Sequence, residues 1–151
     1  RGTPLLGACL GTQLLADAAG GEVRRSREPE IGWHEVSVRR EVRGDPLFGD
    51  PPLRDLAPYV KFVVAPGSQD FQAFQWHSYE FPLPPGAVLL ARSEACPQGA
   101  RLGPAAWALQ FHPEVSAADA LPQVRPYSQR GASIARCTSY PKSTIRVTTA
   151  A

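Results

Sequence analysis

Methionine is absent from the 151 residues, and the chain opens at Arg1. The native start is therefore expected upstream of Arg1. No apolar run approaches the roughly 20 residues that cross a bilayer, and no secretory leader opens the chain. Cysteine is scarce. Cys9, Cys96 and Cys137 are an odd number at wide spacing, which does not read as a disulfide framework. None are spaced C-x-x-C, so a structural zinc site is not expected. Neither a metal nor another cofactor is implied, and free thiols suit a reducing, cytoplasmic setting. A strong charge of one sign is also missing. The net charge of +2 is too weak to argue for a nucleic-acid or membrane partner.

What is present is ordinary for a soluble globular domain: 43% hydrophobic and 20% charged residues. A chain of this length makes one domain and buries about two-thirds of its unfolded surface. There is no internal repeat.

The first twenty residues read as strand, tight turn, helix. Pro4 to Ala8 is a short small-and-apolar run fit for a buried strand. Leu10 to Ala19 is rich in Leu and Ala, with Leu10, Leu14, Leu15 and Ala18 at helical spacing. Gly20-Gly21 supplies the stop. Further strands are expected over Trp33–Val42, Val60–Ala65, Phe71–Trp76, Val88–Ala91 and Trp107–Phe111. Proline-rich loops fall at 45–58 and 82–86. After Val115 periodicity ends. Asp119 stands alone against Arg125, Arg130, Arg136, Lys142 and Arg146, which reads as a loosely ordered basic tail. The division is a domain over 1–115 and an irregular tail over 116–151.

Cys9 sits at the turn, inside Gly7-Ala8-Cys9-Leu10-Gly11. A sharp strand-to-helix turn lifts its central side chain above a sheet and needs small neighbours, the logic of a nucleophile elbow. The helix start favours the thiolate, the reactive form of the thiol. The Leu10 N–H is placed to donate to an oxyanion. Against this stands the plain reading of a lone cysteine as a small buried hydrophobe. A phosphate loop is disfavoured, because its Lys and Ser/Thr are missing.

His112 and Glu114 follow the apolar run Trp107 to Leu109 in Gln110-Phe111-His112-Pro113-Glu114. Positions i and i+2 of an extended chain point the same way. An imidazole can take a thiol proton and return it to a leaving group, and a carboxylate beside it holds the ring. An isolated H-x-E is more often a surface pair. Joined to the elbow, it reads as catalytic.

GACLGTQLLADAAGG (Gly7–Gly21) and LQFHPEV (Leu109–Val115) resemble the two signature blocks of class I glutamine amidotransferases. EIGWHEV (Glu30–Val36) and the segment Phe74–Ser93 look like the matching internal parts, most similar to stand-alone domains akin to the glutaminase part of GMP synthase. The resemblance covers about residues 4 to 115. It implies an α/β fold with a mostly parallel open sheet flanked by helices, flavodoxin-like, whose first strands and Gly-rich loop are missing here. It implies Cys9 as nucleophile, His112 and Glu114 as its partners, and Leu10 as oxyanion donor through its N–H. Gln13, Ser78 and Tyr79 would bind the substrate, glutamine. A synthase partner would receive the ammonia. Loss of the loop's oxyanion donor would cost about 100- to 1,000-fold in rate. A closing helix is also implied after Val115, where the composition instead shifts, as a frame change or fusion would produce.

Three functions stay open. One is glutamine hydrolysis coupled to amide transfer. A second is γ-glutamyl hydrolysis by the same triad. The third is an inactive amidotransferase-like fragment. Of the rest, His77 reads as lining the site, His34 as packed or at the surface, and Cys96 and Cys137 as inert. Trp33 and Trp76 read as core.

Overall fold

The computed structural model describes residues 2–42, 44–48, 63–64 and 70–115. Strand β1 (Leu5–Ala8) runs into helix α1 (Leu10–Ala18) through a turn at Cys9. The helix ends as its glycines dictate. Gly21 N–H donates to the Ala16 carbonyl at 2.9 Å and Gly20 N–H to that of Asp17 at 2.9 Å, with Gly20 at φ 75°. This is a Schellman ending, which satisfies carbonyls the helix cannot.

The remaining strands are β2 (Arg24–Val38), β3 (Val63–Val64), β4 (Phe71–Glu80), β5 (Val88–Arg92), β6 (Pro97–Leu102) and β7 (Ala106–Leu109). They form one sheet with β1, in the order β1-β7-β6-β5-β2-β4-β3. The expected α/β class stands, as a curled mixed sheet with few helices. The proportion of parallel strands does not: among the described residues only β1 and β7 pair in parallel. The reason is connectivity. Parallel neighbours need a long crossover. The short turns from β4 to β5, β5 to β6 and β6 to β7 permit antiparallel neighbours alone.

Two strands differ from expectation. β2 starts at Arg24, well before Trp33, and stops at Val38, with a 3-10 turn at Arg40–Val42. It pairs with β4 and bulges between Arg25 and Glu30, where Pro29 sits. A bulge is where a strand tolerates proline. It then pairs with β5 through Ser37 and Val38. β6 has no counterpart among the expected strands, because PQGARL has little apolar content and carries a proline and a glycine. Most of the 45–58 loop, most of the Val60–Ala65 segment and the tail after Val115 lie outside the described residues.

The main core lies on one face of the sheet and gathers Val36, Val38, Phe71, Leu90, Leu109 and Phe111. A second, smaller cluster under α1 joins Ala16, Phe81, Ala100 and Ala108. Trp33 and Trp76 pack on Phe74, as their core reading implies. The helix itself departs from its apolar stripe. Thr12 and Ala16 are its buried residues, while Leu10 and Leu14 are 64% and 63% exposed. Thr12 wins the inward position through hydrogen bonding, since its hydroxyl reaches the Gly7 carbonyl at 2.8 Å and that of Leu109 at 2.6 Å.

Gly7 is where the strand and helix touch. A Cβ there would lie 2.6 Å from the Gly11 backbone and 2.7 Å from Leu15 Cδ1. A Cβ on Gly11 itself meets nothing within 4 Å among the described residues. The tightness of the motif therefore resides in Gly7. Gly7→Ala is expected to lower stability by about 1–3 kcal/mol, the usual range for overpacking, and Gly11→Ala to cost less. Denaturant unfolding of both variants checks this, and equal losses would refute the asymmetry.

Candidate active site

Cys9 is the N-cap of α1, with φ 48° and ψ −106°. It is the one non-glycine residue at positive φ among the described residues. Such a backbone costs on the order of 1–3 kcal/mol and persists only where its surroundings fix it. Here they do. Its N–H donates to the Leu109 carbonyl at 2.8 Å, and its own carbonyl accepts from Thr12 and Gln13 N–H at 3.1 and 3.3 Å. The half-buried thiol makes no capping bond to the helix, so it is left for other chemistry.

β7 ends at Leu109, and three residues later comes His112. Its N–H donates to the Phe74 carbonyl of β4 at 2.9 Å, which pins the backbone there. Its ring Nδ1 lies 2.8 Å from Glu114 Oε1. The ring is pushed up to about 9, first by a hydrogen bond with Cys9, against the opposing effect of burial, and further by Glu114. Cys9, His112 and Glu114 thus meet in space. The imidazole is largely covered, with its side chain 23% exposed, while that of Glu114 is 62% exposed.

The substrate-binding candidates flank this centre. Leu10 opens α1, so its N–H has no acceptor within the helix. Gln13 lies on the same first turn. Its Nε2 makes a long contact of 3.5 Å to the Tyr79 carbonyl near the end of β4. Ser78 is half-buried and Tyr79 is 51% exposed beside it. The structure therefore brings the ends of α1 and β4 together. A polar cavity of about 630 Å³ lies elsewhere, between Glu30, Trp33, His34, Arg92 and Glu94, and none of the triad lines it.

Sequence reasoning missed a buried polar network next to this site. Glu30, His77, Cys96, Gln75 and Gln98 are each at most 6% exposed. Gln98 Nε2 donates to Glu30 Oε2 at 2.7 Å, and Gln75 Nε2 to Gln98 Oε1 at 2.8 Å. His77 Nε2 lies 3.3 Å from Glu30 Oε2, and Cys96 Sγ donates to the same oxygen at 3.4 Å. Burial pushes the Glu30 carboxyl up, but hydrogen bonds from His77 and Ser93 outweigh it and hold the group below its ordinary range. Burial and the Glu30 charge push the Cys96 thiol far up, consistent with an inert cysteine. The donor atoms of Glu30, His77 and Cys96 all lie within 4.8 Å of one another. Their hydrogen-bonding capacity is already spent on each other, so the network reads as structural. Its signal in the sequence was weak: Glu30, His77 and Gln98 are polar residues at inward positions of strands. Gln110, also fully buried, is the contrast, since neither amide atom has a partner.

An α/β sheet with a strained cysteine at a strand–helix turn and a His–Glu pair beside it is the frame of a cysteine-dependent amidotransferase. The family model for class-I glutamine amidotransferases matches residues 1–124, and the chain belongs to that family. It is 36% identical over 115 residues to a stand-alone subunit of the glutamine-hydrolyzing GMP synthase of Sulfolobus acidocaldarius, covering 74% of this chain and 51% of that protein. It is 32% identical over 119 residues to the GMP synthase of Marinobacter nauticus, covering 77% of this chain and 21% of that one. Among solved structures, a glutamine amidotransferase from Thermotoga maritima superposes with a TM-score of 0.61 at 32% identity, covering 84% of this chain and 47% of that one. One from Methylobacillus flagellatus gives 0.59 at 32% identity, covering 85% and 43%. The chain spans about half the length of the stand-alone GMP synthase subunits it matches. No helix among the described residues is long and apolar enough to cross a membrane.

Because the His112 pKa is raised above 6.5, the charged ring stabilises the fold. That contribution is whole below pH 6.5 and is lost as the pH rises through about 9. An NMR titration of the ring should give a midpoint near 9, falling toward 6.5 in Cys9→Ser. An unchanged midpoint in that variant would separate the two side chains. In the network, Glu30→Leu strands two buried donors and is expected to cost about 3–5 kcal/mol. Urea unfolding that finds less than about 1 kcal/mol would contradict the buried pairing.

Proposed function

We propose that the chain is the glutaminase part of an amidotransferase, hydrolysing the side-chain amide of glutamine through a thioester on Cys9. The observation that carries this is the strained Cys9 elbow, hydrogen-bonded to a His112 ring that Glu114 holds at 2.8 Å. In this reading His112 takes the thiol proton while the sulfur attacks the carboxamide carbon. The carbonyl oxygen becomes an oxyanion that the Leu10 N–H stabilises. As the C–N bond breaks, His112 gives its proton to the leaving nitrogen, and ammonia departs. A γ-glutamyl thioester remains. Water then loses a proton to His112 and attacks the thioester carbon. The C–S bond breaks, glutamate leaves, and the proton returns to Cys9. Glu114 orients the ring throughout. Gln13, Ser78 and Tyr79 hold the amino-acid end of the substrate.

The ammonia would pass to a synthase partner, a reading supported by the likeness to separate GMP synthase subunits. A working thiol suits a reducing compartment, and we place the chain in the cytoplasm. The test is ammonia release from glutamine, run beside cleavage of γ-glutamyl conjugates. Glutamine should be turned over, Cys9→Ser should fall to background, and His112→Ala should lose about 100- to 10,000-fold in kcat. Selective cleavage of the conjugates would make the protein a γ-glutamyl hydrolase instead. Failure on both substrates, with Cys9 no more reactive to iodoacetamide at neutral pH than Cys137, would mean an inactive amidotransferase-like fragment.

A further inference from the structure

We infer that His77 is a positioning residue for the substrate-binding end of β4: its Nδ1–H holds the Tyr79 carbonyl beside Gln13, and so sets where Ser78 and Tyr79 stand. The identity of the ligand rests on the glutaminase reading. The positioning rests on the hydrogen bonds alone.

A backbone carbonyl only accepts, so the 3.0 Å contact between His77 and the Tyr79 oxygen requires a proton on Nδ1. The opposite edge of the ring is gripped by β2 and by its own strand. Nε2 lies 3.3 Å from Glu30 Oε2 and 3.1 Å from Gln75 Oε1. The residue is 6% exposed, so water does not stand in for these partners. The ring is thus fixed on one side and donates on the other to the backbone two residues downstream.

The ladder between β2 and β4 shows why such a tie is useful. Regular pairing runs from Val36↔Phe71 to Glu30↔His77 and resumes only at Arg25↔Tyr79. Between these pairs β2 bulges, and Ser78 has no partner across the strand. The backbone is therefore least supported where the substrate residues sit. His77 bridges that gap with a side chain. The Tyr79 carbonyl it holds is the one that Gln13 Nε2 approaches at 3.5 Å from the first turn of α1. A continuous set of contacts then joins buried Glu30 to the helix that begins at Cys9.

Two near-isosteric variants separate positioning from mere stability. In His77→Asn the side-chain nitrogen can stand near Nδ1, and in His77→Gln near Nε2. If the inference is right, His77→Gln raises the KM for glutamine roughly tenfold, the effect of losing one useful hydrogen bond. Its kcat should stay within about threefold. His77→Asn should keep a KM close to that of the unaltered chain. Amide hydrogen exchange over Ser78–Glu80 should likewise speed up in His77→Gln and not in His77→Asn. Equal behaviour of the two variants, or a loss confined to kcat, overturns the inference. If the unaltered chain hydrolyses no glutamine, the glutaminase reading fails and the exchange comparison alone decides the positioning. Should either variant fail to fold, the unaltered chain still answers by NMR. A slowly exchanging His77 Nδ1–H resonance supports the tie, and an Nδ1 without a proton refutes it.

Discussion

The parallel pairing of β1 with β7 is the constraint on which the rest of the site depends. Its register sets Ala8 against Leu109, so the next N–H, that of Cys9, falls on the Leu109 carbonyl at 2.8 Å. Two features then follow from one register. On β1 the chain must turn at once into α1, which forces Cys9 to positive φ. On β7 the chain has only three residues before His112. Cysteine and histidine are brought together by strands of four residues each. A slip of one residue would reverse the faces of the strand. Leu109 and Phe111 would leave the main core, and Gln110 would enter it. Thr12 guards against this, because its hydroxyl contacts carbonyls on both strands.

The local parts of this arrangement were legible in the sequence, and the long-range parts were not. The strand, elbow and helix over residues 4–21 could be read because each piece is written in adjacent residues: a small-apolar run, a small neighbour at Gly7, a Leu/Ala stretch, a glycine pair. Meeting of Cys9 with His112 depends on a pairing between residues about a hundred positions apart, which no local pattern encodes. Resemblance to a family supplied it. The direction of most strands was misjudged for the same reason. β6 escaped because its inward residues include Gln98 and Gly99, which look like loop residues until Gln98 is seen bonded to Glu30. The exposed Leu10 and Leu14 show the opposite failure: helical spacing gave the apolar face, but a hydroxyl and an alanine took the buried side.

β4 joins the two halves of the site. Its Phe74 carbonyl accepts from His112 N–H, and its Tyr79 carbonyl from His77 and Gln13. One strand therefore braces both the histidine and the first turn of the helix. Its own placement against β2 rests on an unusual choice of core. Where aliphatic packing would serve for stability, the sheet buries a carboxylate with two amides, an imidazole and a thiol around it. Such a cluster is stabilising only when every member is satisfied. That demand makes it selective about geometry in a way that a hydrocarbon core is not. A network of this kind can hold the end of a strand to within a hydrogen bond.

The energetics of the triad are distributed unevenly, and the unevenness bears on what each member can do. Glu114 lies 2.8 Å from His112 and is well placed, yet its side chain is 62% exposed. Ion pairs so exposed contribute little free energy, because water screens them. The first cause of the raised His112 pKa is accordingly Cys9, and Glu114 comes after both Cys9 and burial. The carboxylate is therefore better suited to orienting the ring than to charging it. The charge on the imidazole is tied chiefly to the sulfur. Sulfur and ring are themselves fixed by backbone bonds to Leu109 and Phe74. The strain at Cys9 then has a use: it is held by the sheet rather than by the helix cap, so the sulfur can react without loosening the fold that presents it.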